Sequence, residues 1–291
     1  MRLIIDCNNL AYAAYYSTGI LSYDDLPTGV IFGFFNQLLK LAQKFDTDKF
    51  IFCWDSRKNH RKRIFPEYKL KRREGITPEE EDQLKITFNQ FSELRREILP
   101  AVGFRNVFHR PGYESDDIMA WVLLNTEKEE TVLVSSDNDM LQMLDYCKIY
   151  SPNTKKITTR KAFVEKYNIT PKQFAEGKAI GGCSGDEVPG ILGVGDPAKS
   201  KPSGRVFKYL RGELTSGEIY NRIVSMRGRR TIQRNRKLVV LPFNGPLELK
   251  FKIKQDELSK TGLLSCFTRF RFMSFLSDEG WRKWENAFFK R

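Results

Sequence analysis

Histidine is almost absent from this chain of 291 residues: His60 and His109 are the whole supply. So few argue against a histidine cage around zinc and against a histidine-based catalytic triad. Cysteine is scarce too. Cys7, Cys53, Cys147, Cys183 and Cys266 are widely spaced, odd in number and form no CxxC pair. That pattern suits reduced thiols in a cytosol and argues against a thiolate zinc site. Long apolar runs are missing as well. None approaches the ~20 residues of a membrane span, and Met1-Arg2-Leu3-Ile4-Ile5-Asp6 turns acidic too soon for a signal peptide. The expected setting is therefore cytoplasmic, with no membrane partner. Internal repeats and long low-complexity segments are also lacking. What remains, 41% hydrophobic and 29% charged residues, is the make-up of a soluble globular protein with one large core or two ordinary ones.

Positive charge, by contrast, is plentiful. The net charge of +13 and pI near 9.5 favour a polyanionic partner. Against this background, eight acidic residues fall where strand-like runs end or helices begin. Asp6 follows Leu3-Ile4-Ile5, and Asp55 follows Phe50 to Trp54. Asp137 and Asp139 follow Val132 to Ser136. Glu114, Asp116 and Asp117 open a helix-like segment, and Asp186 lies in a Gly-rich turn. If the runs form one parallel sheet, these acids meet in the crevice beyond its carboxyl ends. Like charges about 4 Å apart repel by roughly 4 kcal/mol at an effective dielectric of 20. A cluster so dense needs cations to stay ionised, and hard oxygen ligands suit Mg²⁺ or Mn²⁺. A basic exterior around such a pocket is what phosphodiester chemistry requires.

Hydrophobic periodicity gives the order of elements. A strand over 2–6, a short helix from Asn8 to about Tyr16, a helix from about Gly29 to Phe45 and a strand from Lys49 to Trp54 make a βαβ opening. Thr77-Pro78-Glu79-Glu80 starts a helix that runs to about Leu99. Phe104 to Phe108 reads as a strand, Asp116 to about Asn125 as a helix, and Thr131 to Ser135 as a strand. Asp139 to Leu144 is a short helix, and Lys148 to Ser151 an edge strand. After about Ser151 the chain becomes helical and basic.

Five strings then occur in a telling order: Asp6-Cys7-Asn8-Asn9-Leu10, Cys53-Trp54-Asp55-Ser56, Pro66-Glu67-Tyr68-Lys69, Gly112-Tyr113-Glu114-Ser115-Asp116-Asp117 and Ser135-Ser136-Asp137-Asn138-Asp139. With the Gly-rich turn at 181–195, this series resembles the flap endonuclease or 5′-nuclease family over roughly residues 1–195. That family includes bacteriophage 5′-exonucleases and the 5′-nuclease domain of bacterial DNA polymerase I. The resemblance implies an α/β, PIN-like fold with a central, mostly parallel sheet. A nuclease core spans 1–151, with a helical arch at 56–99. A helical region spans 152–291, with a helix–hairpin–helix-like element at 178–210 and a basic aromatic C-terminal segment.

The same resemblance implies a structure-selective 5′-nuclease using two Mg²⁺ ions, with Mn²⁺ as substitute. Asp6, Asp55, Glu114 and Asp116 would gather at the first ion. Asp117, Asp137, Asp139 and Asp186 would hold the second. Each acid also has a plainer role as a turn residue, a helix cap or an answer to a helix dipole. One departure matters: where the family usually carries Asp-x-x-Asp, this chain has Cys183-Ser184-Gly185-Asp186. A thiol is a poor Mg²⁺ ligand, so the second position is in question.

The basic stretch 57–73 (RKNHRKRIFPEYKLKRR) interleaves Phe65 and Tyr68 with cations, a composition that suits a single strand with stacked bases. By the family match, Lys69 offsets charge on the scissile phosphate, Arg61 assists it and Tyr68 stacks on a base. Arg63, Lys71 and Arg72 would touch phosphates. Gly193 and Gly195 would present backbone amides to duplex phosphate, with K⁺ at that turn and contacts moving to Lys199 and Lys201. Aromatics between Phe267 and Phe289 are expected in the core. Expected partners are DNA with a 5′ flap, 5′ end or junction, RNA–DNA hybrids and replication proteins, met by a monomer. With no polymerase segment in the chain, the phage type is favoured. Two rivals remain: a PIN-type ribonuclease, against which the stretch 57–73 counts, and a silent branched-DNA-binding protein, for which Cys183 speaks.

Overall fold

The computed structural model describes residues 1–289. Its central sheet has six strands: β1 (Arg2–Asp6), β2 (Phe50–Trp54), β3 (Val107–His109), β4 (Thr131–Val134), β5 (Lys148–Ser151) and β6 (Lys156–Thr158). They lie in the order β3-β2-β1-β4-β5-β6. The first five are parallel, and β6 returns antiparallel against β5. The expected edge position of β5 is therefore corrected. A turn at 152–155, with Lys155 in the left-handed region at φ 56°, folds the chain back so that Thr158 pairs with Ile149.

Side chains alternate across the sheet, and both faces are covered. Leu3, Ile5, Phe52, Trp54 and Val134 enter one core, while Ile4, Ile51, Cys53 and Leu133 enter the other. That is why the strands read as continuous apolar runs. The α-helices longer than four residues are α1 (Cys7–Thr18), α2 (Gly29–Phe45), α3 (Pro78–Glu93), α4 (Ser115–Asn125), α5 (Arg160–Tyr167), α6 (Pro171–Gly181), α7 (Arg205–Leu210), α8 (Gly217–Val224), α9 (Met226–Val239), α10 (Lys260–Arg269) and α11 (Asp278–Phe288). At the start of α3 the Thr77 hydroxyl accepts the Glu80 N–H at 3.2 Å, and the Glu80 carboxylate accepts the Thr77 N–H at 2.9 Å. One π-helical turn, Leu94–Ile98, carries that helix on to Val102. The preceding residues, 56–76, hold only short 3₁₀ turns, so the helical part of the expected arch is α3 and its extension.

Phe267, Phe272, Phe275, Trp284 and Phe288 are buried, as expected for a core segment. Their core is shared with β1, β2 and α2: Phe267 lies 5.6 Å and Trp284 5.9 Å from Phe35, centroid to centroid. The last helices thus share a core with elements of the first hundred residues. No helix among the described residues is long and apolar enough to cross a membrane.

Candidate active site

The parallel register sets Asp6 beside Cys53 and Ile5 beside Val134, so β1, β2 and β4 finish level with one another. Asp6 caps α1 by accepting the Asn9 N–H at 3.1 Å. The Ser115 hydroxyl donates to one of its oxygens at 3.1 Å and the Ser135 hydroxyl to the other at 2.9 Å. Asp55 accepts the Ser115 backbone N–H at 2.7 Å, and its own N–H is held by the Asn8 side chain at 3.0 Å. Asp116, one residue further along α4, accepts the Asp117 N–H at 2.7 Å. None of these three carboxylates forms an ion pair among the described residues. Burial, reinforced by neighbouring carboxylates, pushes Asp6 up to about 7 and raises Asp55 and Asp116 as well. Hydrogen-bonded acids that are buried (Asp6) or partly buried (Asp55, Asp116) and form no ion pair make a donor set that fits a hard divalent ion.

On the β4 side the balance is different. Asp137, exposed, caps a 3₁₀ turn and accepts the Asp139 N–H at 2.8 Å. Asp139, Cys183 and Asp186 can each bring an atom within 4.8 Å of the others. Yet Asp139 is already paired with the ammonium of Lys178 at 2.6 Å. Asp186 is reached by the Tyr68 hydroxyl at 3.1 Å, Arg72 at 3.0 Å and Lys69 at 3.5 Å. Cys183 Sγ lies 4.0 Å from Asp139. Burial, helped by Asp139, pushes this thiol up to about 12, so it stays protonated at neutral pH.

Three expected roles need correcting. Asp117 is fully buried. One oxygen accepts from Arg61 at 2.7 Å and from the Phe243 N–H at 2.8 Å; the other accepts from Arg61 at 2.7 Å and from the Glu114 N–H at 3.1 Å. Asp117 groups with Glu114 and Asp116 by distance, but with both oxygens doubly engaged it has no lone pair left for a metal. Arg61, expected to assist at the phosphate, is 1% exposed and spent on Asp117, Glu114 and the Leu238 carbonyl. It is a structural clamp. Tyr68, expected to stack on a base, is 2% exposed, and its hydroxyl lies 2.8 Å from Glu114.

Lys69 does stand at the cluster, its ammonium paired with Glu114 and close to Asp186. Burial works against charging it, but Glu114 and Asp186 outweigh that and hold it above the ordinary lysine range. For Glu114, burial opposes ionisation, and Lys69 and Arg61 prevail, bringing it down to about 2.

Arg63, Lys71, Lys199 and Lys201 are exposed, and Arg72 is the partner of Asp186. Gly193 and Gly195 adopt φ of 87° and 92°, the left-handed region that favours glycine. The Gly193 carbonyl accepts from Arg205 at 3.0 Å, and Asp196 accepts the Ser184 N–H at 3.0 Å. Two important residues escaped the sequence reading. Ser115 touches both Asp6 and Asp55. Lys178 lies one turn from Phe174 on the buried face of α6, and a lysine on such a face was its signal.

A family model described as the 5′-3′ exonuclease, N-terminal resolvase-like domain, matches residues 1–168. DNA polymerase I of Mycobacterium tuberculosis is 31% identical over 210 residues, 68% of this chain and 22% of the polymerase. The chain therefore spans about a fifth of the length of the polymerases it matches. A 5′-3′ exonuclease of Aquifex aeolicus is 26% identical over 265 residues, 88% of each chain. The crystal structure of a bacteriophage T5 flap endonuclease with DNA and metal ions shares the fold. Its TM-score is 0.66 at 23% identity, covering 82% of this chain and 89% of that one.

Proposed function

The chain belongs to the 5′-3′ exonuclease family, and from that premise we propose that it is a metal-dependent nuclease hydrolysing phosphodiester bonds of DNA at 5′ ends, flaps or junctions. One observation carries the proposal: Asp6, Asp55 and Asp116 are drawn together by the ends of β1 and β2 and the start of α4, with no ion pair to neutralise them. Around them the chain carries a net charge of +13, which draws a phosphate backbone inward. Bound divalent ions supply an activated water and a clamp on the reacting oxygens.

The chain's own residues do the rest. Asp6, Asp55, Glu114 and Asp116 hold the first ion, with Ser115 and Ser135 fixing the Asp6 carboxylate. Asp137, Asp139 and Asp186 are the carboxylates left for a second position. Lys69 faces the entering phosphate from the rim of the cluster and offsets its charge. Arg63, Lys71 and Arg72 meet the strand near the site. Lys199, Lys201 and the amides of Gly193 and Gly195 meet the duplex, with K⁺ at that turn. Mg²⁺ is the proposed working ion and Mn²⁺ its substitute. The proposed setting is primer removal during replication or repair, in a bacterial or phage-infected cytoplasm, with RNA–DNA hybrids as a second substrate.

A digest of a 5′-flap DNA beside a 5′-labelled RNA–DNA hybrid, with Mg²⁺ or Mn²⁺, tests this. Cleavage is expected from the parent and not from Asp6→Asn. Flap binding without cleavage by the parent would instead identify a silent junction-binding protein. Equal cleavage by Asp6→Asn would remove the acid cluster from the reaction.

A further inference from the structure

We propose that this chain provides one of its active-site cations itself: the Lys178 ammonium occupies the Asp139 side of the cluster, so that one divalent ion binds tightly where two would be expected. The proposal rests on the metal-dependent reading above and concerns only the second position.

Four observations converge on it. Lys178 is buried on α6 with its ammonium 2.6 Å from one Asp139 oxygen and 3.8 Å from Asp196. A dication placed on Asp139 would have to displace that pair, leaving a buried ammonium with a single, more distant partner. Asp186, the other carboxylate of the group, is already matched by Arg72 and Lys69. The third ligand is Cys183, whose buried sulfur lies 4.0 Å from Asp139 and is a poor donor for a hard ion. The exposed Asp137, which accepts the Asp139 N–H, has no cationic partner among the described residues.

The contrast with the first position is one of charge. There, Asp6, Asp55 and Asp116 lack a cationic partner and only Glu114 has one; here, Asp139 and Asp186 both have one and only Asp137 does not. Gly182 shows how the local backbone fixes the arrangement. It sits at φ 81° between α6 and Cys183, and a side chain there would run into the Val188 carbonyl and the Gly190 amide, both 2.4 Å away. Lys178 and Cys183 are thus presented to the same acids by a tight turn that permits little adjustment.

Mn²⁺ titration of the full chain, with free ion followed by electron paramagnetic resonance and heat by calorimetry, tests the proposal without any substrate. The parent should take up one ion tightly, with any second at least about tenfold weaker. Lys178→Met and Cys183→Asp should each tighten the second ion by about tenfold or more, and Cys183→Ser should not. If Lys178→Met does not fold, Cys183→Asp carries the comparison alone. Two ions of similar affinity in the parent would overturn the proposal, as would a second affinity untouched in both variants. A parent with no tight ion at all would end the metal-dependent reading itself, a failure distinct from the other two.

Discussion

Asp6, Asp55 and Asp116 share a crevice with Asp139 and Asp186, yet the two groups keep their charges by different means. The first three are held by serine hydroxyls and backbone amides, which orient a carboxylate without cancelling it. The second two are met by Lys178, Arg72 and Lys69. A cluster of like residues is therefore not a uniform metal box. What separates the halves is how the basic side chains are shared: α6 and the 57–73 stretch pair with both Asp139 and Asp186, whereas beside the first three acids the same stretch pairs only with Glu114.

Substituting one acid from each side breaks the comparison most sharply. Asp116→Asn should lower kcat by about three orders of magnitude, the upper range for loss of a group that positions transition-state charge. Asp139→Asn should cost about tenfold, since Lys178 already covers that carboxylate. Steady-state cleavage of a flap substrate measures both, and equal losses would erase the distinction.

Arg61 and Lys69, eight residues apart on the same basic stretch, should part company in a similar way. Arg61→Ala leaves Asp117 buried without its bidentate partner and should destabilise the fold by about 3–5 kcal/mol, read by denaturant unfolding. Lys69→Ala should leave stability closer to the parent and lower kcat by about a hundredfold with little change in KM. Equal losses in kcat and DNA affinity would deny Lys69 a transition-state role.

Proton linkage sharpens the contrast further. Burial lifts Asp6 from 3.8 to about 7, so the folded state prefers it protonated. That stability is fully present below about pH 4 and is lost as pH rises through 7. Glu114 behaves oppositely: held near 2, it contributes above about pH 4.5 and fails only in acid. Between pH 5 and 8, then, metal-free protein should lose stability as pH rises, by up to about 3 kcal/mol from Asp6 alone. Added Mn²⁺ should abolish the loss, because it takes the deprotonated form. Thermal unfolding at pH 5.5 and pH 8, with chelator or with Mn²⁺, reads this directly, and a flat profile in chelator would contradict it.

Local pattern made much of this legible and long-range pairing made the rest illegible. Strand ends followed by Asp6 and Asp55 read directly, because an apolar run and a following acid are adjacent in sequence. The capping box at Thr77 and the core character of the Phe267–Phe289 segment are also local patterns. Arg61 was misread because its residue type suggests phosphate, whereas its partner Asp117 lies 56 residues away and closes a buried pair. Lys178 was overlooked for the mirror reason: a lone lysine among apolar neighbours on α6 announces no partner, and Asp139 is 39 residues back. Edge position failed for β5 because the short β6 carries little periodicity of its own.

Tyr68 provides the smallest effect and the finest test. Its ring is buried with Val188, Leu238 and Val239, and its hydroxyl spans the two halves of the cluster, touching Glu114 on one side and Asp186 on the other. Tyr68→Phe keeps the ring and removes only that bridge, so stability should fall by about 1 kcal/mol, with affinity for a 5′ flap unchanged. A base-stacking tyrosine would behave differently: Tyr68→Ala would then cost about 1–3 kcal/mol of DNA binding beyond what its loss of stability explains. Measuring both variants by fluorescence anisotropy and by denaturant unfolding separates the two roles. If Tyr68→Ala, still folded, binds the flap as tightly as the parent, the ring stays in the core while DNA is bound, and the bridge between the halves belongs to the working state of the protein.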